Sequence, residues 1–167
     1  MSRRLIFLLV FFICAGLLLV AFYMEHVMGL EPCPLCWLQR FAFMAVGGVS
    51  LLAALHGPQG WGGRVYGLLM AVFAGAGLGL AGRQLWLQSL PEDQVPACGP
   101  SVDYLLDVLP LFEVLSTAIQ GTGDCAKVVW RFLGLSIAGW TAIFFALILV
   151  VGIAILFGAW QRRRSEW

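Results

Sequence analysis

The sequence predicts an all-α membrane protein, a bundle of four transmembrane helices with a short interfacial helix in its longer outer loop. The chain has 167 residues, of which 61% are hydrophobic and only 11% are charged. Soluble domains are about half apolar and about a quarter charged. Because a hydrocarbon core of about 30 Å requires about 20 apolar residues of helix, long uncharged stretches predict membrane spans. An ordinary soluble domain is excluded.

Four such stretches make residues 1–167 a single membrane domain. The predicted spans are at about 5–24, 35–55, 65–87 and 135–160. The first predicted span follows Arg3 and Arg4, as the apolar region of a secretory signal peptide follows its basic residues. Its apolar run is long, however, and no small-residue cleavage site follows it. We therefore expect it to be retained as a transmembrane helix. Small residues at Gly67, Ala71, Gly75 and Gly79 predict close helix packing along the third span.

The charges predict the orientation of the chain in the membrane. Arginines cluster at the N-terminus, in the loop between the second and third spans, and at residues 162–164. Of the nine acidic residues, only Glu166 lies on this side. Because Lys and Arg concentrate in cytoplasmic loops, we expect both termini to be cytoplasmic. The loops at about 25–34 and 88–131 then face outward.

The longer outer loop carries an amphipathic pattern that predicts its short helix. Apolar residues recur at helical spacing from Val102 to Leu115, and Pro110 divides the pattern into two pieces. An apolar-faced helix outside the bundle would lie on the membrane surface or pack against protein. The pattern does not separate these two possibilities.

A Cys-x-x-Cys motif, Cys33-Pro34-Leu35-Cys36, opens the second span. Proline suits the first position of a helix, so the motif predicts Cys33 at the cap and Cys36 in the first turn. Unpaired backbone N–H groups and the positive helix end stabilise a thiolate there. The motif indicates thiol–disulfide chemistry at the outer face of the membrane.

Arg40 lies four residues after Cys36 and therefore on the same face, one turn deeper. A charged residue inside a span costs about 2.5–3.5 kcal/mol at mid-helix and less near the interface. We expect Arg40 to stabilise an anion, either the Cys36 thiolate, a bound acceptor, or both. An arginine that anchors the helix by reaching the interface is the alternative.

Two further cysteines, Cys98 and Cys125, lie in turn-rich segments of the longer outer loop. On the oxidising side of a bacterial-type inner membrane, such thiols form disulfides. A purely structural bridge and a redox-active pair are both compatible with these positions. The spacing of the four cysteines does not match zinc sites, so we predict no metal centre. Cys14, in the middle of the first span, is predicted to be a small buried hydrophobe.

These features together resemble the DsbB family, bacterial inner-membrane quinone reductases that reoxidise the periplasmic thiol oxidase DsbA. The resemblance covers nearly the whole chain and is carried by residues 31–40, EPCPLCWLQR, and by Gly123-Asp124-Cys125. It implies a DsbA-like periplasmic thioredoxin-fold partner, a membrane quinone (ubiquinone or menaquinone) as cofactor, a surrounding lipid bilayer, and no nucleic acid.

The resemblance also implies roles for the cysteines. Reduced DsbA would attack a Cys98–Cys125 disulfide at Cys98, after which Cys125 would attack Cys33. Cys36 would then be released beside Arg40 and the quinone, and the Cys33–Cys36 disulfide would close again. The chain departs from the family pattern near the end of the third span. Where some members carry a histidine associated with the quinone, this sequence has Gln84, with Arg83 beside it. Either side chain is a candidate to bind a quinone oxygen.

Three other functions are alternatives to this one. A paralogue dedicated to one specialised thioredoxin-like partner would share all of these residues. A vitamin K epoxide reductase-like protein would carry its Cys-x-x-Cys in the last span of its core, not at the start of the second. A non-enzymatic four-helix protein with structural disulfides would leave the Cys33–Cys36 motif unexplained.

Overall fold

Four long helices dominate the structure, a computed structural model that describes residues 2–30, 32–58, 60–96, 107 and 110–158. The helices in chain order are α1 (Arg3–His26), α2 (Pro34–His56), α3 (Trp61–Ser89), α4 (Leu111–Gln120), α5 (Gly123–Ala126) and α6 (Ile137–Leu156). Within the described residues, α1, α2, α3 and α6 are long and apolar enough to cross a membrane. The expected four-span architecture is confirmed.

Local sequence explains where the spans begin. Ser2 caps α1 through a hydrogen bond from the Leu5 N–H to its hydroxyl, and Ser136 caps α6 in the same way through Gly139. Cys33 caps α2, with Pro34 at the first helical position as predicted. Such caps satisfy backbone donors that a helix leaves unpaired at its start.

The spans pack in the order α1–α2–α3–α6, with the most extensive contact between α3 and α6. Phe43 of α2 and Phe145 of α6 stack with ring centroids 3.9 Å apart. Phe145 is fully buried and lies against Gly77 of α3, where any side chain would collide with its ring. Large apolar side chains elsewhere on the spans are exposed, as lipid-facing surfaces require.

The inner ends of α3 and α6 approach at glycines. A Cβ at Gly152 would lie 3.0 Å from the Ala71 nitrogen, and one at Gly67 would lie 3.0 Å from the Gly152 oxygen. Gly67 and Ala71 thus form the close-packing surface that their spacing predicts. Gly79, at the other end of the predicted stripe, has nothing within 4 Å of its Cβ position, because it lies on the exposed face of α3.

The two ends of the bundle differ in chemistry. Arg4 donates to the Leu55 carbonyl at 3.3 Å, and the Arg3 side chain lies against Gly63, so the N-terminal arginines meet the loop between α2 and α3. Cys33, Cys36 and Cys125 lie at the opposite end, where α2 begins and α3 ends. The described basic cluster and the described outer cysteines therefore occupy opposite faces of the membrane domain.

The outer end also carries short elements. α4 begins directly after Pro110, where the sequence pattern divides. It buries Val114 and Ala118 and exposes Phe112, Leu115 and Ile119, so it combines contact with protein and an apolar outer surface suited to a membrane interface. The first piece of the predicted pattern lies outside the described residues, Asp107 excepted.

A small hairpin, which the sequence did not indicate, precedes α6. Strands β1 (Arg131–Phe132) and β2 (Leu135–Ser136) pair antiparallel. Leu133 and Gly134 both have positive φ, 51° and 82°. Two such residues form the tight turn that two-residue hairpins favour.

The α3–α6 contact yields a stability prediction. Gly152→Ala should lower the free energy of unfolding by about 1–3 kcal/mol, because the added methyl group meets backbone atoms that cannot move aside. The matched control is Gly79→Ala, which should be neutral or stabilising by up to about 1 kcal/mol. Both are measured by denaturant-induced unfolding in mixed micelles followed by circular dichroism. Equal losses in the two variants would contradict the assignment of this contact.

Candidate active site

The Cys33–Cys36 pair lies at the N-terminus of α2. The Cys36 backbone N–H donates to Cys33 Sγ at 3.4 Å, and the two Sγ atoms are 2.7 Å apart. Both cysteines are half-buried. The helix start thus holds two sulfurs side by side, in a geometry that suits reversible disulfide formation without backbone movement.

Cys125 is brought to the same place by the outer loop. It is fully buried in α5 and packs with Leu35 of α2 and Leu87 of α3, and Cys33 packs against this cluster. Gly121 makes the approach possible, since its φ is 79° and a Cβ there would lie 2.5 Å from Leu87 Cδ1. A side chain at this position would be strained by the positive φ and would force the Leu87 side chain to move.

The environment favours a thiolate at Cys125. Hydrogen bonding with Cys33 and with the backbone N–H groups of Leu35 and Thr122 outweighs the effect of burial and lowers the pKa of Cys125 to about 6. The same contact with Cys125, together with Cys36 and burial, raises the pKa of Cys33. Within this pair, therefore, the surroundings favour the thiolate at Cys125 and the thiol at Cys33.

A mainly apolar cavity of about 330 Å³ opens beside the cysteine pair. Residues of α1, α2, α3 and α6 line it, together with the segment that precedes α6. Cys36, Gln39, Arg40 and Gln84 supply polar groups on its wall. Its volume and its few convergent polar groups are typical of a small-molecule site.

Gln84, a predicted site residue, faces the sulfurs. Its Nε2 lies 3.3 Å from Cys36 Sγ and 3.5 Å from Cys33 Sγ, while its Oε1 accepts from Gln39 Nε2 at 2.7 Å. Gln39 Oε1 in turn accepts from the Thr141 hydroxyl at 2.7 Å. The NH2 group of Gln84 has two hydrogens, and the two sulfurs accept one each.

Arg40 lines the cavity but makes its polar contacts with α1. Its guanidinium forms an ion pair with Glu25 and donates to the Ala21 carbonyl at 3.2 Å. It also lies 5.1 Å from the centre of the Phe22 ring. Among the described residues no hydrogen bond joins Arg40 to Cys36, and the anion that Arg40 contacts is a carboxylate on the neighbouring helix.

The remaining predicted site residues are placed differently. Arg83 lies outside the cavity, where it donates to the Gln120 carbonyl at 3.0 Å and covers the Trp86 ring. Cys98 lies outside the described residues. Cys14 is buried mid-span, as expected, against Gly47. No cluster of three or more potential metal ligands occurs in the described part of the chain.

Sequence reasoning missed three residues of this site, namely Glu25, Gln39 and Thr141. Glu25 carried a signal, because it is the carboxylate nearest the outer end of the first span and Arg40 needs a counter-charge. Gln39 is polar within an apolar span, which is a similar signal. Nothing in the sequence marked Thr141.

A four-span bundle with Cys33, Cys36 and Cys125 together at one end is the architecture of a membrane-embedded thiol–disulfide oxidoreductase. The family model described as Disulfide bond formation protein DsbB matches residues 3–155, and the chain belongs to this family.

Three relatives named Disulfide bond formation protein B support the same assignment. The one from Marinobacter nauticus is 73% identical over 100% of this chain and 98% of its own length. The one from Nitrosococcus oceani is 50% identical over 99% of this chain and 94% of its own, and the one from Hahella chejuensis is 51% identical over 98% and 96%. The chain is accordingly a multi-pass membrane protein of disulfide bond formation.

The Glu25–Arg40 pair yields a second stability prediction. Glu25→Leu should cost about 1–3 kcal/mol of unfolding free energy, because it leaves the Arg40 charge, 9% exposed, without its counter-charge. The cost stays below that of a fully buried pair since Glu25 itself is 23% exposed. The double variant Glu25→Leu/Arg40→Leu should recover part of the loss. Thermal unfolding in one detergent measures all three, and a double variant less stable than Glu25→Leu would refute the pairing.

Proposed function

We propose that the chain reoxidises a DsbA-like periplasmic thioredoxin-fold protein by disulfide exchange and passes the electrons to a membrane quinone, ubiquinone or menaquinone. The observation that carries this proposal is the position of Cys33. On one side it packs against Cys125 of the outer loop, and on the other its sulfur lies 2.7 Å from that of Cys36, at the cavity wall. Cys33 thus connects a loop cysteine to a site within the membrane domain.

The cavity fits a quinone in both size and polarity. Its apolar wall suits a ring with a hydrocarbon tail, and the N–H-bearing side chains of Arg40 and Gln39 form part of that wall. Arg40 and Gln39 would hold the ring, while Gln84 donates hydrogen bonds to the sulfurs. A quinone bound there supplies an acceptor for two electrons and two protons.

The relay begins in the outer loop, with a disulfide between Cys98 and Cys125 that the family resemblance implies. Attack by a partner thiolate on Cys98 forms a mixed disulfide and releases Cys125 as the leaving thiolate. A thiol of low pKa leaves faster, and the Leu35 and Thr122 backbone N–H groups stabilise the released charge. These two donors act whether Cys33 is a thiol or part of a disulfide.

The second exchange takes place at the start of α2. Cys125 attacks Cys33, a Cys33–Cys125 disulfide forms, and Cys36 is released. Gln84 donates to the Cys36 sulfur, which faces the cavity. The partner's second thiol attacks the mixed disulfide, which releases the oxidised partner and leaves Cys98 as a thiol. Cys36 and Cys98 together give up two electrons and two protons, which a quinone held at the cavity would accept, so that the Cys33–Cys36 and Cys98–Cys125 disulfides both close again.

The distribution of charge supports a location in the bacterial inner membrane with both termini in the cytoplasm. Of the described arginines, Arg3, Arg4 and Arg64 lie at the end of the bundle opposite the cysteines, whereas Arg40, Arg83 and Arg131 lie toward the cysteine end. By the positive-inside rule that end is cytoplasmic, so Cys33, Cys36 and Cys125 face the oxidising compartment.

The proposal predicts that Cys36→Ser abolishes quinone reduction. Serine cannot form the disulfide through which electrons leave the pair, although the fold should persist. The assay follows quinone absorbance in reconstituted full-length protein supplied with a reduced thioredoxin-fold donor. The matched control is Cys14→Ala, which removes a buried cysteine remote from the relay and should retain turnover. Undiminished quinone reduction by Cys36→Ser would refute the mechanism.

The environment of Cys125 predicts its titration in the fully reduced chain. The thiolate should be present above about pH 6 and lost as the pH falls through that value, whereas an ordinary cysteine titrates near 9.0. Cys33→Ala should raise the midpoint, because contact with Cys33 is the largest cause of the shift. The measurement is the ¹³Cβ chemical shift of Cys125 in selectively labelled protein. An unshifted midpoint near 9.0 would contradict the assigned environment.

A further inference from the structure

Three polar side chains form a hydrogen-bond chain that crosses the outer end of the bundle and ends at the cysteine pair. It starts at Thr141 of α6, passes through Gln39 of α2 and reaches Gln84 of α3. Gln39 and Gln84 are buried, with only 3% and 5% of their surface exposed. Three spans thus contribute one polar group each to a single connected path in a mainly apolar bundle.

The direction of this hydrogen-bond chain depends on which acceptor the Thr141 hydroxyl serves. A side-chain amide has nearly the same shape when it is turned over, so packing alone does not decide whether Gln84 presents its oxygen or its NH2 group to the sulfurs. The Thr141 hydroxyl has one hydrogen and two acceptors within reach, Gln39 Oε1 at 2.7 Å and the Ala138 carbonyl at 3.0 Å. Donation to the nearer acceptor, Gln39 Oε1, turns Gln39 Nε2 toward Gln84. Gln84 Oε1 accepts that bond, and its NH2 group is left facing the sulfurs.

The thiolate and disulfide forms of the sulfurs favour this orientation, whereas a Cys36 thiol can also donate to Gln84 Oε1, 3.8 Å away. A thiolate or disulfide sulfur accepts hydrogen bonds and has no hydrogen to donate. An amide NH2 group therefore stabilises the thiolate, whereas an amide oxygen in the same place would repel it. Stabilising the thiolate favours the reduced pair over the disulfide and makes the pair a stronger oxidant.

We propose that Thr141 and Gln39 are positioning residues, whose hydrogen bonds hold the Gln84 amide with its NH2 group toward Cys33 and Cys36. The inference rests on the proposed function in one respect only, that these two cysteines are the redox pair. It assigns a role to Thr141 and Gln39, and it explains why a threonine on α6 matters to chemistry on α2.

The test is the redox equilibrium of the Cys33–Cys36 pair with glutathione in the full-length protein. In this equilibrium one disulfide and two glutathione thiols give two protein thiols and one glutathione disulfide. Acid trapping and differential alkylation, read by mass spectrometry at each cysteine, separate this pair from Cys98 and Cys125. Neither quinone nor a thioredoxin-fold donor is present.

Thr141→Val removes the donor and nearly keeps the shape of the side chain. The equilibrium should shift toward the disulfide by about threefold to tenfold, where tenfold corresponds to about 1.4 kcal/mol. Thr141→Ser keeps a hydroxyl and should stay within about twofold of the parent chain. Gln39→Leu breaks the hydrogen-bond chain at its middle and provides the same test independently, should Thr141→Val not fold.

A double variant and a control distinguish positioning from general loosening of the bundle. Thr141→Val/Gln39→Leu should shift the equilibrium no further than the larger single variant, because both break one chain. Ser50→Ala removes another buried hydroxyl between α2 and α3, which lies 3.5 Å from Met70 Sδ and away from the cysteines, and should shift nothing. An unshifted Thr141→Val, additive effects, or an equal shift in Ser50→Ala would each overturn the inference. Loss of quinone turnover in Cys36→Ser is a separate result and is unaffected by any of these outcomes.

Discussion

The N-terminus of α2 is the feature on which the whole site depends. Its unpaired backbone N–H groups serve two sulfurs from different parts of the chain, since the Cys36 N–H donates to Cys33 and the Leu35 N–H contributes to the lowered pKa of Cys125. A helix end has such donors because its first turn has no preceding carbonyls to bond. Pro34, at the first helical position, has no N–H group, so the helix start carries one fewer unpaired donor. A single helix end thereby joins a loop cysteine to a membrane cysteine pair.

Much of the architecture could be predicted because the membrane restricts it so strongly. Span number, the cap at Cys33 and the break at Pro110 follow from local sequence, and all three are present. In hydrocarbon every backbone group must be satisfied within the chain, so long apolar stretches have few alternatives to a helix. The small hairpin before α6 depends on a positive φ at Leu133, which side-chain pattern does not reveal.

The site was less predictable because its polar partners lie far apart in sequence. Thr141 is 102 residues from Gln39, and Gln84 is 45 residues from it. Local spacing placed Arg40 near Cys36 but did not show that Glu25, on a different helix, would be its ionic partner. Periodicity indicates which face of a helix a residue occupies. Which residue of another helix meets that face is decided by packing of the whole bundle, as Gly67 and Gly152 show at the inner end.

The residues of α1 and α6 that line the cavity indicate the route by which an occupant would reach it. Leu17, Leu18 and Ala21 of α1 stand on one side, and Trp140 and Phe144 of α6 stand on another. These helices are the first and last of the packing order, so an opening between them would face acyl chains, not water, when the bundle lies in a bilayer. An occupant would enter sideways from the lipid. Its supply would then depend on how strongly it partitions into the bilayer and how fast it diffuses in two dimensions, and the aqueous concentration would matter little.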